Sequence, residues 1–217
     1  MFTGIIQATG HLVRREMMGI DARLQIQSAQ LDFHNVQIGD SIAVNGVCLT
    51  AVMLSTDHFL ADVSVETLTH TTLGDLPVGS LVNLEKALTL QTPLGGHLVN
   101  GHVDGVGILT SYRPEGRSTR LQLRAPDELA KYIAPKGCIS IDGISLTVNQ
   151  INGMEFDLNI VPHTLIKTTL SQLTVGQKVN LEVDIIARYL ERLLQSGNEY
   201  PSSNRITQTF LQEHGFA

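Results

Sequence analysis

The chain has little cysteine, no block of positive charge and no long apolar run, and each shortage removes a class of function. Its two cysteines, Cys48 and Cys138, sit in no CxxC pair and at no spacing to histidine that suits zinc, so neither a disulfide framework nor a metal site is expected. Two reduced thiols are the usage of a cytoplasmic protein. The 15 Lys and Arg are outnumbered by 21 Asp and Glu, giving a net charge of −6, and they are scattered along the chain. No basic stripe is available to track a phosphate backbone, which excludes nucleic acid as an expected partner. No apolar run approaches the roughly 18 residues of a membrane span, and the start Met1-Phe2-Thr3-Gly4-Ile5-Ile6 lacks the basic region of a signal peptide. Neither a span nor a signal peptide is expected.

What is present is an ordinary globular balance, 42% hydrophobic and 17% charged over 217 residues, so the chain folds. Its length allows one large domain or two of about 90 to 100 residues. An internal repeat decides for two. Asn45-Gly46-Val47-Cys48-Leu49-Thr50 recurs as Asp142-Gly143-Ile144-Ser145-Leu146-Thr147, an offset of 97 residues that also separates Gly46 from Gly143. The same offset pairs Thr67-Leu68 with Thr164-Leu165, Val82-Asn83-Leu84-Glu85 with Val179-Asn180-Leu181-Glu182, Gly4 with Gly101 and Phe59 with Phe156. A gapless register of this length is a duplication.

Each copy reads as β structure, in short β-branched segments bounded by Gly, Asn or Asp. Many short strands at close spacing predict a small closed antiparallel barrel. Ser28–Val36 and Pro126–Ile133 are the expected short helices. After Asp184 the period changes: Ile185, Ile186, Tyr189, Leu190, Leu193 and Leu194 fall at helical spacing, which predicts an amphipathic helix ending near Gly197. Its stripe must be buried, either on its own barrel or against the same helix of other subunits. A polar linker follows at 198–203, and Ser203 is a candidate cap for a last short helix.

Two segments carry candidate chemistry. Two positions after the glycine of each repeated turn stands Cys48 in one copy and Ser145 in the other, with Thr50 and Thr147 two residues on. Positions i and i+2 share a strand face, so each copy presents a nucleophile-sized polar atom beside a hydroxyl. The turns themselves, Asn45-Gly46 and Asp142-Gly143, also have the plain reading of strand connections. The second segment is Gly95-Gly96-His97-Leu98-Val99-Asn100-Gly101-His102-Val103-Asp104-Gly105. Its glycines permit close backbone approach and its histidines can titrate near neutral pH, although a plain interdomain linker would have the same composition. Metal binding by His97 and His102 is disfavoured, because an i, i+5 pair lies on opposite faces of a strand and no third ligand is evident.

These four blocks, the opening Met1–Ile6, the Asn45–Thr50 turn, Gly95–Val103 and Ile141–Val148, resemble riboflavin synthase in order and spacing over about residues 1–196. The resemblance implies a mainly β fold of two tandem homologous antiparallel Greek-key barrels with a C-terminal α-helix. It divides the chain into an N-terminal lumazine-binding barrel (1–95), a C-terminal one (96–185), a trimerisation helix (186–196) and a tail (197–217). The implied activity is the last step of riboflavin biosynthesis, a transferase without cofactor. In it, one 6,7-dimethyl-8-ribityllumazine gives a four-carbon unit to another, yielding riboflavin and 5-amino-6-ribitylamino-uracil. A homotrimer is implied, with each site between the N-terminal barrel of one subunit and the C-terminal barrel of a neighbour, and lumazine synthase is a candidate partner.

Carried onto this sequence, the binding positions of the first copy are Gly4, Ile5, Ile6, Cys48, Leu49, Thr50, Asp62, Val63, Ser64, Val65, Glu66 and Thr67. In the second copy they are Gly101, His102, Val103, Lys136, Ser145, Leu146, Thr147, Asn159, Ile160, Val161, Pro162, His163 and Thr164. The catalytic set is Cys48, His102, Asp142, Ser145 and Thr147: His102 as base toward a ring methyl, Cys48 or Ser145 adding to or delivering water to the ring, Asp142 orienting or relaying protons. His163 departs from the glutamate expected to match Glu66. The alternative is a non-catalytic lumazine or flavin carrier, since the same double barrel occurs in optical antenna proteins, which lack much of this polar set.

Overall fold

A computed structural model describes residues 1–199 and 208–215. The first copy forms β1 (Ala8–Met18), β2 (Asp21–Gln27), β3 (Ser41–Val44), β4 (Val47–Leu54), β5 (His58–Val63) and β6 (Leu81–Lys86), closed in the order β1-β2-β5-β4-β3-β6. The run β3-β4-β5 with β2 returning beside β5 is the Greek key. The second copy, β7 (Gly105–Glu115), β8 (Ser118–Arg124), β9 (Cys138–Ile141), β10 (Ile144–Asn152), β11 (Glu155–Ile160) and β12 (Lys178–Val183), closes in the equivalent order.

Strict alternation drives the closure. In β2, Ala22, Leu24 and Ile26 point inward between polar neighbours, and in β8 Leu121 and Leu123 do the same. Phe59 and its copy Phe156 fill equivalent places in two separate cores. The duplication extends to irregularities: the register slips between Leu12 and Arg14 and between Ala51 and Met53, and again at Leu109/Ser111 and Val148/Gln150. All four are one 97-residue register, so the bulges that bend these strands into small barrels predate the duplication.

The two barrels join on a pseudo-twofold axis, marked where a residue touches its own copy. Phe2 pairs with Val99 as an isolated bridge. Gly46 meets Gly143 so closely that a Cβ on either would lie 2.6 or 2.7 Å from the other's nitrogen. Both turns are of the primed hairpin kind, with Asn45 (φ 46°), Gly46 (77°), Asp142 (45°) and Gly143 (82°) all left-handed. Around them Asn83 Nδ2 donates to Asp142 O (3.0 Å), and Asn180 Nδ2 donates to Asn45 O (2.8 Å). Asn45 Oδ1 accepts from Asn83 N and Asp142 Oδ1 from Asn180 N, each at 2.8 Å.

One atom breaks the symmetry of this joint. Where Asn45 is neutral, Asp142 carries a buried carboxyl, and burial pushes it up to about 7 despite the Asn180 N–H bond. Because the folded value lies above the unfolded one, its stabilising contribution is full below the ordinary carboxyl value and is lost as pH rises through about 7. Asp142→Asn, which reproduces the bond that Asn45 already makes, should therefore melt higher than the parent at pH 8, by roughly 5 °C for an effect of about 2 kcal/mol or more. The margin should shrink toward pH 4; thermal melts showing an equal margin at both pH values would refute this.

Short helices follow the fifth strand of each copy: α1 (Val65–His70) and α3 (Pro162–Lys167). Neither was expected. Ser64 caps α1 by accepting from Thr67 N, and Pro162 opens α3. The expected helix at Ser28–Val36 is instead a run of turns. There Ser28 Oγ accepts from Gln30 N and Leu31 N, and Asp32 Oδ1 from His34 N, so side chains take the N–H groups and free Leu31 and Phe33 to enter the core. Of Pro126–Ile133 only α2 (Asp127–Ala130) is helical.

Beyond Ile185 lies a separate unit. In it α4 (Ile185–Glu199) continues through Gly197 instead of ending there, and α5 (Gln208–Glu213) follows. Ser203 lies outside the described residues. No helix among the described residues is long and apolar enough to cross a membrane.

Candidate functional site

Two pockets of about 300 and 320 Å³ correspond position by position across the 97-residue offset, at the small end of the range for ligand sites. The first is lined by Val47 and Cys48 of β4, Glu66, Thr67, His70 and Thr71 at α1, and Gly101, His102, Val103 and Asp104. The second is lined by Ile144 and Ser145 of β10, His163, Thr164, Lys167 and Thr168 at α3, and Gly4, Ile5, Ile6 and Gln7. Each pocket thus takes one wall from the opposite copy. The chain entering barrel 1 closes the pocket of barrel 2, and the chain entering barrel 2 closes that of barrel 1.

The expected binding positions, given by the copy in which they lie, are distributed across the two pockets by this crossing. Gly4, Ile5 and Ile6 belong with Ser145, His163 and Thr164, while Gly101, His102 and Val103 belong with Cys48, Glu66 and Thr67. Other expected positions are not among the residues lining these two pockets. Leu49, Val63 and Ile160 are in the cores, Leu146 packs against the second core, and Ser64 caps α1. Asp62 pairs with Arg23, Asn159 Nδ2 donates to Glu115, and Val65 N donates to Asp21. Thr50 and Thr147 are exposed on their strands, and Val161 and Pro162 start α3. Lys136 takes a left-handed turn (φ 67°), its N–H bonded to Val148 O. Asp142 sits in the joint between the barrels.

The chemistry of the two pockets differs. In the second, His97 Nδ1 lies 2.7 Å from Ser145 Oγ. His97 is 8% exposed, and its burial pushes the imidazole down from the ordinary histidine value while the charge of Asp184 pulls it back up. A neutral ring with Nδ1 bare accepts the Ser145 hydroxyl proton and leaves Nε2 as a buried donor without a partner. In that tautomer the serine hydroxyl donates to a base. The first pocket has no counterpart to His97; it presents the Cys48 thiol and the His102 imidazole, where the second has Ser145 and Ile5. It also holds Glu66, 3.2 Å from His70 Nε2 one helical turn on, against His163 and Lys167 in the other. Among the described residues no three His, Cys, Asp or Glu side chains converge as metal ligands.

His70, Thr71, Lys167 and Thr168 were missed in sequence because α1 and α3 were missed, though the offset pairs them. For His97 the sequence leaves both a titrating group and a plain linker open, and only the fold brings it to a residue 48 positions away.

The Lumazine binding domain family model matches twice, over residues 3–87 and 100–184. The riboflavin synthase of Photobacterium phosphoreum is 45% identical over 216 residues, 100% of this chain and 99% of its own length. That of Bacillus subtilis is 39% identical over 216 residues, 100% of both. Among solved structures, LumP complexed with 6,7-dimethyl-8-(1'-D-ribityl) lumazine superposes with a TM-score of 0.76 at 27% identity, covering 84% of this chain and 99% of that one.

Proposed function

Since the chain belongs to the riboflavin synthase family, we propose that it dismutates two molecules of 6,7-dimethyl-8-ribityllumazine into riboflavin and 5-amino-6-ribitylamino-uracil. The observation that carries this reading is the pair of like-built pockets with unlike chemical groups. Donor and acceptor are the same compound, so pockets of common ancestry suit both, and holding the two in register removes much of the entropic cost of a bimolecular encounter. Their roles differ, and so do Cys48 with His102 and Ser145 with His97. The two substrates contain every atom of the two products, so the exchange needs no external oxidant or carrier.

In this mechanism His102 accepts a proton from the acidic ring methyl of the lumazine beside it. Ser145, its hydroxyl proton drawn toward His97, adds to the electrophilic ring carbon of the donor or delivers water there. The subunits form a trimer through α4, which brings the first pocket of one chain to the second pocket of a neighbour. A cytoplasmic setting suits the two free thiols. The rival reading is a carrier, favoured by the likeness to LumP, whose lumazine complex shares the double-barrel fold.

One assay separates them. Incubated with the lumazine alone, the protein should produce flavin fluorescence with one riboflavin formed per two lumazines consumed. Tight lumazine binding without riboflavin would establish the carrier and reject the enzyme.

A further inference from the structure

Besides Asp142 in the joint, each barrel holds a buried glutamate at matched positions whose partners the reaction does not explain. Glu85, at the end of β6, is 3% exposed; its Oε1 accepts from Thr3 N (2.7 Å) and Thr3 Oγ1 (2.6 Å), and its Oε2 from Gly4 N (3.0 Å). Its copy Glu182, at the end of β12, is 4% exposed and accepts from Asn100 N (2.6 Å), Gly101 N (3.0 Å) and His102 N (3.1 Å). Three donors converge on one carboxylate in each case. Successive backbone N–H groups of this kind form a concave anion seat, and bonds to an ionised acceptor are the stronger sort.

The segments so held are the walls of the opposite pockets. Gly4 O accepts from Ser145 N and Gly101 O from Cys48 N, both at 2.8 Å. Gly4 (φ 74°) and Gly101 (φ 79°) are left-handed, and a Cβ on either would lie 2.6 Å from Ser145 Cβ or Cys48 Cβ. Each wall is therefore pinned twice, by the carboxylate of its own barrel and by the reactive strand of the other. Burial raises both carboxyls above their ordinary values, Glu182 up to about 7, while the N–H bonds pull them back down. So deep a placement is costly unless the donors are all used.

We propose that Glu85 and Glu182 are positioning residues that act crosswise: Glu85 shapes the ligand pocket of the C-terminal copy around Ser145, and Glu182 shapes that of the N-terminal copy around Cys48. The inference rests on the reading of both cavities as ligand pockets. It follows from the wall each carboxylate holds, not from the barrel it grows on. Glutamine is isosteric but places an NH₂ donor where one oxygen accepted, so it opposes the backbone N–H groups and releases the wall.

The test uses the full-length protein and riboflavin labelled with carbon-13 in its ring methyls, followed by NMR. Two sets of bound signals are expected, one moved by Cys48→Ser and the other by Ser145→Ala. Glu182→Gln should weaken riboflavin binding about tenfold or more at the Cys48 pocket while the Ser145 pocket changes less than about twofold, and Glu85→Gln should do the reverse. With the lumazine as substrate, both variants should raise KM by more than they lower kcat. Thr3→Ala removes the hydroxyl that bridges Glu85 and Ile5 N. It is the milder check if a glutamine variant does not fold, and it should weaken the Ser145 pocket alone. Loss at the carboxylate's own pocket, equal loss at both, or no loss at either would overturn the crosswise assignment. A parent protein that binds no riboflavin would overturn the pocket reading and this inference with it.

Discussion

Aspartate in place of both Ile186 and Leu190 is expected to dissociate the oligomer and abolish riboflavin formation. These two side chains are 59% and 55% exposed, and Tyr189, Leu193 and Leu194 of α4 are exposed with them. Five large apolar groups along 15 helical residues form a continuous stripe. Each is worth roughly 1.5 to 3 kcal/mol when fully buried, and a lone helix of this length is marginal in water. In the proposed trimer, packing against the same stripe of other subunits would supply both burial and helix stability. Two charges in that seam would be desolvated without partners, which outweighs the association. Since the proposed site needs the pocket of a neighbour, turnover should vanish with the assembly while the barrels stay folded. Sedimentation velocity with a parallel activity assay decides it; an intact trimer, or a monomer at full activity, would reject the model.

The second large effect concerns the proposed proton acceptor. His102 lines the Cys48 pocket from the opposite copy, and its repeat partner is Ile5. The duplication therefore did not need an imidazole there for packing. Its backbone N–H is held by Glu182, which keeps the side chain at the pocket wall in variants that retain the backbone. His102→Gln should slow turnover about a hundredfold, within the usual range for a positioned base, and should slow deuterium loss from a C7-deuterated methyl. Riboflavin affinity should stay within about tenfold, because a glutamine amide replaces one hydrogen-bonding group. The competing assignment is the Ser145–His97 pair. If His102→Gln turns over near the parent rate while Ser145→Ala and His97→Gln are crippled, the rate-limiting proton transfer belongs to that pair.

The crossing of the entry segments also bears on where the repeats divide. A division at residue 95 leaves Gly101–Asp104, one wall of the Cys48 pocket, on the other fragment. A fragment of residues 1–95 keeps all six strands of its barrel and should fold, but it should bind riboflavin more weakly than a fragment extended to residue 104. Fluorescence titration of the two fragments makes the comparison, and equal affinities would show that the wall is dispensable.

Much of this molecule was legible in one dimension because duplication writes a structure twice. The 97-residue register exposed two equivalent barrels, the paired turns at Asn45-Gly46 and Asp142-Gly143, and the unlike residues Cys48 and Ser145 at matched positions. Short β-branched segments bounded by Gly, Asn or Asp marked the barrels as β structure, and helical spacing marked α4, since those patterns follow from the local geometry of strand and helix. The short helices were hidden. Six-residue segments such as Val65–His70 have too few turns to show a period and are rich in β-branched residues.

The composition of each pocket was decided only in three dimensions. Gly4–Ile6 and Cys48 lie in the same copy of the repeat, yet closure of the barrels about the axis through Phe2–Val99 and Gly46–Gly143 carries each entry segment across to the other copy. The same crossing sets His97 against Ser145 and leaves Asp142 in the joint. Residue type and strand period are properties of neighbours along the chain. Which wall faces which strand depends on how two finished barrels bury their shared polar seam, and that is settled by contacts between residues as far as 135 positions apart.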